Sequence, residues 1–259
     1  MTPMPTWFRY DFGYSWPYTL GHLLVFGIAA LIVALCLWRR WPRWTIALSA
    51  VLAVWSLGGA FIVHDVIQIN EPVMPVTALF LPSGNGRVLD LGAGSGRATL
   101  GLLLSRPEAS VVALDRYTGY YGIDDNTPER LRANARIAGV DGRLEVKVGD
   151  MRQLPFGPGE FDAAMSVAAI DHLNWDGVEQ TMRETARVLR PGGQFLVVSL
   201  NPDHLVRIAI PASIHRHGYW GHSPDRDRWR DALTRAGFEV TRVGTRPAAV
   251  YYLARKLGP

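Results

Sequence analysis

Two long stretches without a charge constrain this chain more than anything else in it. Tyr18 to Trp38 is a run of 21 residues with no Asp, Glu, Lys or Arg, and Thr45 to Val63 is a second run of 19. As helices they would extend about 31 Å and about 28 Å, close to the thickness of a bilayer's hydrocarbon core. Trp16, Trp38, Trp41 and Trp44 bracket the runs, as interfacial aromatics do. The pattern predicts a helical hairpin, about residues 18–38 and 45–63, inside a membrane-anchoring segment 1–63. Ala30/Ala34, Ser49/Ala53 and Ser56/Ala60 are small pairs at spacing four that would let the helices approach closely and would allow oligomers through the hairpin. A plain excess of alanine gives the same spacing. A secretory signal fits poorly, because the first run is too long, lacks a basic start and is followed by a second run.

Composition narrows the rest. Charged residues make up 19% of the chain, below the roughly 25% of ordinary soluble domains. Net charge is +4, and residues 1–63 hold four arginines against the single acid Asp11. The remainder is nearly balanced and carries no basic stripe, so no nucleic-acid partner is expected. The one cysteine, Cys36, excludes an intrachain disulfide and any multi-cysteine metal site.

Orientation poses a conflict. Arg39, Arg40 and Arg43 crowd the connector between the runs, and arginines favour the cytoplasmic side. A spanning hairpin would then put everything after Val63 outside. The expectation adopted is the opposite one, with the larger domain cytoplasmic, because its motifs suit a cytosolic cofactor. A re-entrant segment and an external domain are the alternatives.

Residues 64–86 read as a linker, with Pro72, Pro75 and Pro82. Over 87–259 short apolar runs alternate with helical patterns. Strands are predicted at 88–91, 110–114, 144–148, 161–167, 194–200, 238–243 and 248–253, with helices at 98–104, 127–138, 178–189 and 226–236. Thr127-Pro128-Glu129 is a helix start, with a capping threonine and proline in the first turn. The alternation argues a doubly wound α/β sheet with its ligand site at the carboxyl ends of the strands.

The first strand runs into Asp90-Leu91-Gly92-Ala93-Gly94-Ser95-Gly96. A dinucleotide fingerprint would place its third glycine where Arg97 stands, and a P-loop would need Gly-Lys-Ser/Thr. The acid before the loop suits a ligand bearing an ammonium group rather than a pyrophosphate. The second strand ends in Asp115, where an acid can take both hydroxyls of a ribose. The third ends in Gly149-Asp150-Met151, an acceptor and an apolar wall for an adenine. Phe161-Asp162-Ala163-Ala164 and Val188-Leu189-Arg190-Pro191-Gly192-Gly193 follow.

Taken together, about Arg87 to Lys256 resembles the class I S-adenosylmethionine-dependent methyltransferases, particularly the group that includes ubiquinone and menaquinone methyltransferases. The resemblance implies a Rossmann-like seven-stranded sheet with a reversed last hairpin, and S-adenosylmethionine as cofactor with no metal. It implies Asp90, Gly92, Gly94 and Gly96 around the methionine part and Asp115 on the ribose, with Asp150 and Met151 at the adenine. Arg116 and Ser166 complete the expected cofactor set. The hairpin lies outside the family's usual pattern.

Residues 116–126 depart from that pattern as an insert beside the cofactor; its Asp124 and Asp125 are rival ribose ligands, though Asp115 fits the strand spacing better, and Tyr120 and Tyr121 are expected as a lid or substrate wall, with a plain surface loop as the alternative. Asp171-His172, after the fourth strand, stands where the resemblance places the acceptor. His172 is the expected base and Asp171 its orienting or substrate-binding partner; a helix cap at Asp171 is the bland alternative. Residues 214–222 hold a further cluster, with His217, Tyr219 and Trp220 expected at a substrate lid. The overall expectation is a membrane-anchored methyltransferase of a lipophilic acceptor, such as a quinone precursor, isoprenoid or lipid. A tethered enzyme of a soluble molecule and a non-catalytic cofactor binder are the alternatives.

Overall fold

The computed structural model describes residues 9–73, 78–118, 123–200, 225–246 and 248–258. A short helix α1 (Trp16–Thr19) leads into α2 (Gly21–Trp38) and α3 (Arg43–Phe61), which pack side by side and antiparallel. Both are long and apolar enough to cross a membrane by length and composition. Their outer surfaces are apolar: Leu24, Ile28, Leu31, Val51, Val54 and Phe61 are all exposed. The seam on α3 falls on Ser56, Gly59 and Ala60, as the small-residue spacing predicts. On α2 it does not follow Ala30 and Ala34. It runs through Ala29 and Cys36, seven residues apart, and Ala34 is exposed. Seven residues are two helical turns, so these two stay on one face. Near the open end, the His22 ring meets the Trp55 ring edge-on at 5.0 Å. A Cβ at Gly59 would lie 2.2 Å from that imidazole, so only glycine lets the helices close there.

The α/β part comprises β1 (Asn85–Leu91), α4 (Arg97–Ser105), β2 (Glu108–Asp115), α5 (Pro128–Ala138), β3 (Leu144–Val148), β4 (Phe161–Val167), α6 (Trp175–Val188), β5 (Leu189–Leu200), α7 (Arg226–Arg235), β6 (Phe238–Arg246) and β7 (Ala249–Lys256). The sheet order is β3-β2-β1-β4-β5-β7-β6. The first five strands are parallel, and β7 runs antiparallel between β5 and β6. This is the expected seven-stranded sheet with a reversed last hairpin. The switch point, where the chain order turns, lies between β1 and β4.

Strand alternation assigns each side chain to a layer. Leu89, Leu91, Val112, Leu114, Ala164 and Val197 face α6 and α7, around Met182, Trp229 and Tyr252. Val88, Val111, Ala163, Met165 and Leu196 face α4 and α5, around Leu100, Leu103 and Ala135. The same parity puts Asp90 and Asp115 on the α4 side. Helix starts are capped locally: Thr127 Oγ1 accepts from the Arg130 amide, and Asn174 Oδ1 from the Gly177 amide. Asp171 therefore does not cap α6.

The segments flanking the hairpin both pack on this α/β body. Before it, Tyr10 and Phe12 stack at 5.7 Å and are buried in the α4/α5 layer. The Asp11 amide donates to Asn134 Oδ1 at 3.0 Å, and Asn134 Nδ2 donates back to the Asp11 carbonyl at 2.7 Å. Tyr14 bridges to Ile123. After it, α3 widens into a π turn at Ile62–Val66, and the chain descends to the start of α4. There the Arg97 guanidinium donates to the carbonyls of Ile67 (2.5 Å), Gln68 (2.9 Å) and Glu71 (3.1 Å). The division at residue 63 did not anticipate that residues 9–14 share the core of the larger domain.

Candidate functional site

A cavity of about 340 Å3 opens at the carboxyl ends of β1, β2 and β4, within the size range of small-molecule pockets. Asp90, Gly92, Gly94, Asp115, Arg116, Asp150, Met151 and His172 line it, as the sequence places them.

Asp90 ends fully buried because β1 directs it into the α4 layer, where Thr99 Oγ1 donates to its Oδ2 at 2.5 Å. Burial raises its pKa to about 7, against the Thr99 hydrogen bond and reinforced by the Asp115 charge. A carboxylate held at that cost is one that a cationic ligand would relieve. The sign for stability follows. The unfolded carboxyl ionises near 3.8, so stability falls as pH rises from about 4 to about 7. Asp90→Asn should therefore raise unfolding stability at pH 8, by up to about 4 kcal/mol, and change it little at pH 4. Thermal unfolding at the two pH values measures this, and a loss of stability at pH 8 would contradict it.

The glycine loop supplies a cradle. Gly92, Gly94 and Gly96 all have positive φ, at 79°, 52° and 92°, but only the first two line the cavity; Gly96, expected there too, instead packs against Leu100 and Leu131. At Gly92 a Cβ would sit 2.4 Å from the Ala169 Cβ and 2.9 Å from the Met151 Cε, so only glycine lets the loop pack against these two residues at the cavity. Asp115 Oδ2 accepts the Gly94 amide at 2.8 Å, and Oδ1 accepts the Tyr117 amide at 2.7 Å. The carboxylate thus ties the glycine loop to the start of the insert. Asn126 Oδ1 is buried there without a hydrogen-bond partner.

Asp150 is gripped by Arg152, whose Nη2 donates at 2.6 Å and whose Nε and amide also donate. Those hydrogen bonds hold its pKa below the usual carboxylate range. Arg116 stands at the rim, 3.8 Å from the same carboxylate. His172 is partly buried and its ring hydrogen-bonds to the Ala168 backbone; burial lowers its pKa, opposed by the Asp171 charge and that bond. Ala168 itself holds a strained φ of 51° at the cavity wall. Asp171 Oδ2 accepts the Leu200 amide at 2.9 Å and the Ser199 hydroxyl at 3.3 Å, pinning this turn to the end of β5.

Ser166 is a correction. It shares a face with Ala164, opposite Asp90, and is fully buried. Its hydroxyl donates to the Leu91 carbonyl and accepts the Ile170 amide, so it braces β4 against β1 and does not line the cavity. The expected substrate residues Tyr120, Tyr121, His217, Tyr219 and Trp220 lie outside the described residues.

Among the wall residues that sequence reasoning missed are Tyr14 before the hairpin, and Ile67, Ile69 and Val73 after it. Nothing local to these positions marks them, because their contacts span the whole hairpin. The arrangement as a whole is a backbone cradle, three acids and a partly buried histidine converging on one cavity.

Residues 88–193 match the methyltransferase domain family. An uncharacterized protein of Mycobacterium tuberculosis is 30% identical over 229 residues, covering 80% of this chain and 76% of that protein. The malonyl-[acyl-carrier protein] O-methyltransferase of Laribacter hongkongensis is 33% identical over 162 residues, covering 59% of this chain and 50% of that one. Among solved structures, a SAM-dependent methyltransferase of Methanosarcina mazei superposes with a TM-score of 0.51 at 20% identity, over 72% of this chain and 99% of that one.

Proposed function

The chain belongs to the class I S-adenosylmethionine-dependent methyltransferases, and on that premise we propose that it is an integral membrane enzyme that methylates a lipophilic acceptor, its catalytic domain on the cytoplasmic side. One observation carries this reading: the residues just before and just after the two apolar helices line the same cavity as Asp90, Asp115 and His172. An acceptor partitioned into a bilayer around α2 and α3 would therefore be close to the site. A quinone precursor, isoprenoid or lipid has that character.

The cofactor supplies an electrophilic methyl group on a sulfonium. Asp90 would hold the ammonium of its methionine part, and Asp115 would accept from the ribose hydroxyls. Each Asp115 oxygen accepts one backbone amide and keeps capacity for another donor. Asp150 and Met151 would flank the adenine, with Arg116 3.8 Å from the Asp150 carboxylate. His172 takes the acceptor's proton. Its lowered pKa keeps it neutral, and so competent as a base, at pH 7. Asp171 fixes the turn that carries it and places a negative charge beside the imidazolium that forms.

A soluble acceptor is the second reading, favoured by the identity to an enzyme of a carrier-protein substrate. The phase in which a transferred methyl appears separates the two. Orientation has its own test. With Cys36 replaced by serine, Arg40→Cys should react with an impermeant maleimide on intact cells, while Arg230→Cys should react only after lysis. The reverse pattern would put the catalytic domain outside.

A further inference from the structure

We infer that the acceptor's apolar part binds between the two feet of the hairpin, against Tyr14 on one side and Ile67, Ile69 and Val73 on the other, and enters there from the bilayer. The inference rests on the reading of a membrane-borne acceptor and adds where and how it docks.

Three observations carry it. First, these four side chains are the cavity lining contributed by the flanks of the hairpin, and none is charged. A polar acceptor would leave them facing unfavourable groups, whereas an apolar chain removes them from water. Second, both feet are fixed beside the cofactor loop. Tyr14 bridges to Ile123, whose Cδ1 lies 3.3 Å from the Cβ position at Gly94. The second foot hangs from Arg97, whose guanidinium reaches three of its carbonyls from the first turn after Gly96. A wall held this way sits at a set distance from the methyl-donating site, which in-line transfer requires. Third, the second foot follows α3 after only one π turn, Ile62–Val66, so the apolar wall lies within a few residues of the apolar helix surface, with the exposed Asp65 and Gln68 between them. Arg97 is a positioning residue in this scheme.

The test uses full-length protein in vesicles of phosphatidylethanolamine and phosphatidylglycerol, with Cys36→Ser as background. Single cysteines replace Tyr14, Ile67 or Val73, and Arg230→Cys on the exposed face of α7 is the control. Each is labelled by a charged methanethiosulfonate from water and by pyrenylmaleimide dissolved in the bilayer. The ratio of bilayer to aqueous labelling should exceed the Arg230→Cys ratio at least tenfold at two or more of the three positions. Dodecanol, as an apolar-chain probe, should slow labelling there at least threefold and leave Arg230→Cys unchanged. Ratios equal to the control, or no protection by dodecanol, would overturn the inference. Methyl transfer to a lipid with control-like ratios would leave the function standing and remove this entry route. High ratios without any lipid product would do the reverse.

Discussion

Replacing Asp115 with alanine should weaken binding of S-adenosylhomocysteine at least a hundredfold. Two hydrogen bonds from ribose hydroxyls to a carboxylate contribute roughly 1.5–3 kcal/mol each. Their joint loss, even discounted for solvent access, is about 3 kcal/mol or more, which is a factor of a hundred or greater. A second effect adds to it. Asp115 holds the Gly94 and Tyr117 amides, so its removal also loosens the loop that cradles the ligand. Asp115→Asn keeps one acceptor oxygen and should fall between the two. Calorimetric titration of the wild type and both variants measures this, and an alanine variant within threefold of wild type would refute the ribose assignment.

The second large effect is on turnover. His172→Ala should lower kcat by about a hundredfold to ten-thousandfold, the usual contribution of a positioned base. Affinity for S-adenosylhomocysteine should stay within a few fold, because the cofactor's expected contacts lie on β1, β2 and the turn after β3. The pH profile is the more specific signature. Burial depresses the imidazole's pKa, so at saturating cofactor kcat should hold its plateau through pH 7 and decline only below the usual histidine range. A variant that keeps full activity would show that another group or none removes the proton.

Much of this site was legible because it depends on short-range rules. Asp90 and Asp115 sit at strand ends, and pairing of β1 with β2 in parallel register brings them onto one face. The glycines between β1 and α4 need positive φ, which sequence alone announces. The Thr127 start of α5 is a local capping rule, and it held. Ser166 failed for an equally simple reason. It lies in a strand that reaches the site, but side-chain parity turns it to the other layer with Ala164. The α2 seam failed because spacing four drifts across a helix face, and the contact stripe followed Ala29 and Cys36 instead. The feet of the hairpin were not legible at all. Tyr10, Phe12 and Tyr14 read as a preamble to the first apolar run, and 67–73 as linker. Their burial depends on partners such as Asn134 and Arg97, far along the chain, and no periodicity reports such contacts.

The feet also bear on the proposed anchor. An anchor joined by a loose tether would only concentrate enzyme at a surface. Here the chain enters and leaves the apolar helices through segments that wall the cavity, so the helices and the site are held in one arrangement.

The most direct test of a lipophilic acceptor is a transfer assay with the full-length protein in its native membrane lipids. It receives methyl-tritiated S-adenosylmethionine, and the label is followed into organic and aqueous phases beside Asp115→Ala as the inactive control. Label is expected in the organic phase for the wild type and none above background for the variant. Label confined to the aqueous phase, or organic label equal in both proteins, would contradict it.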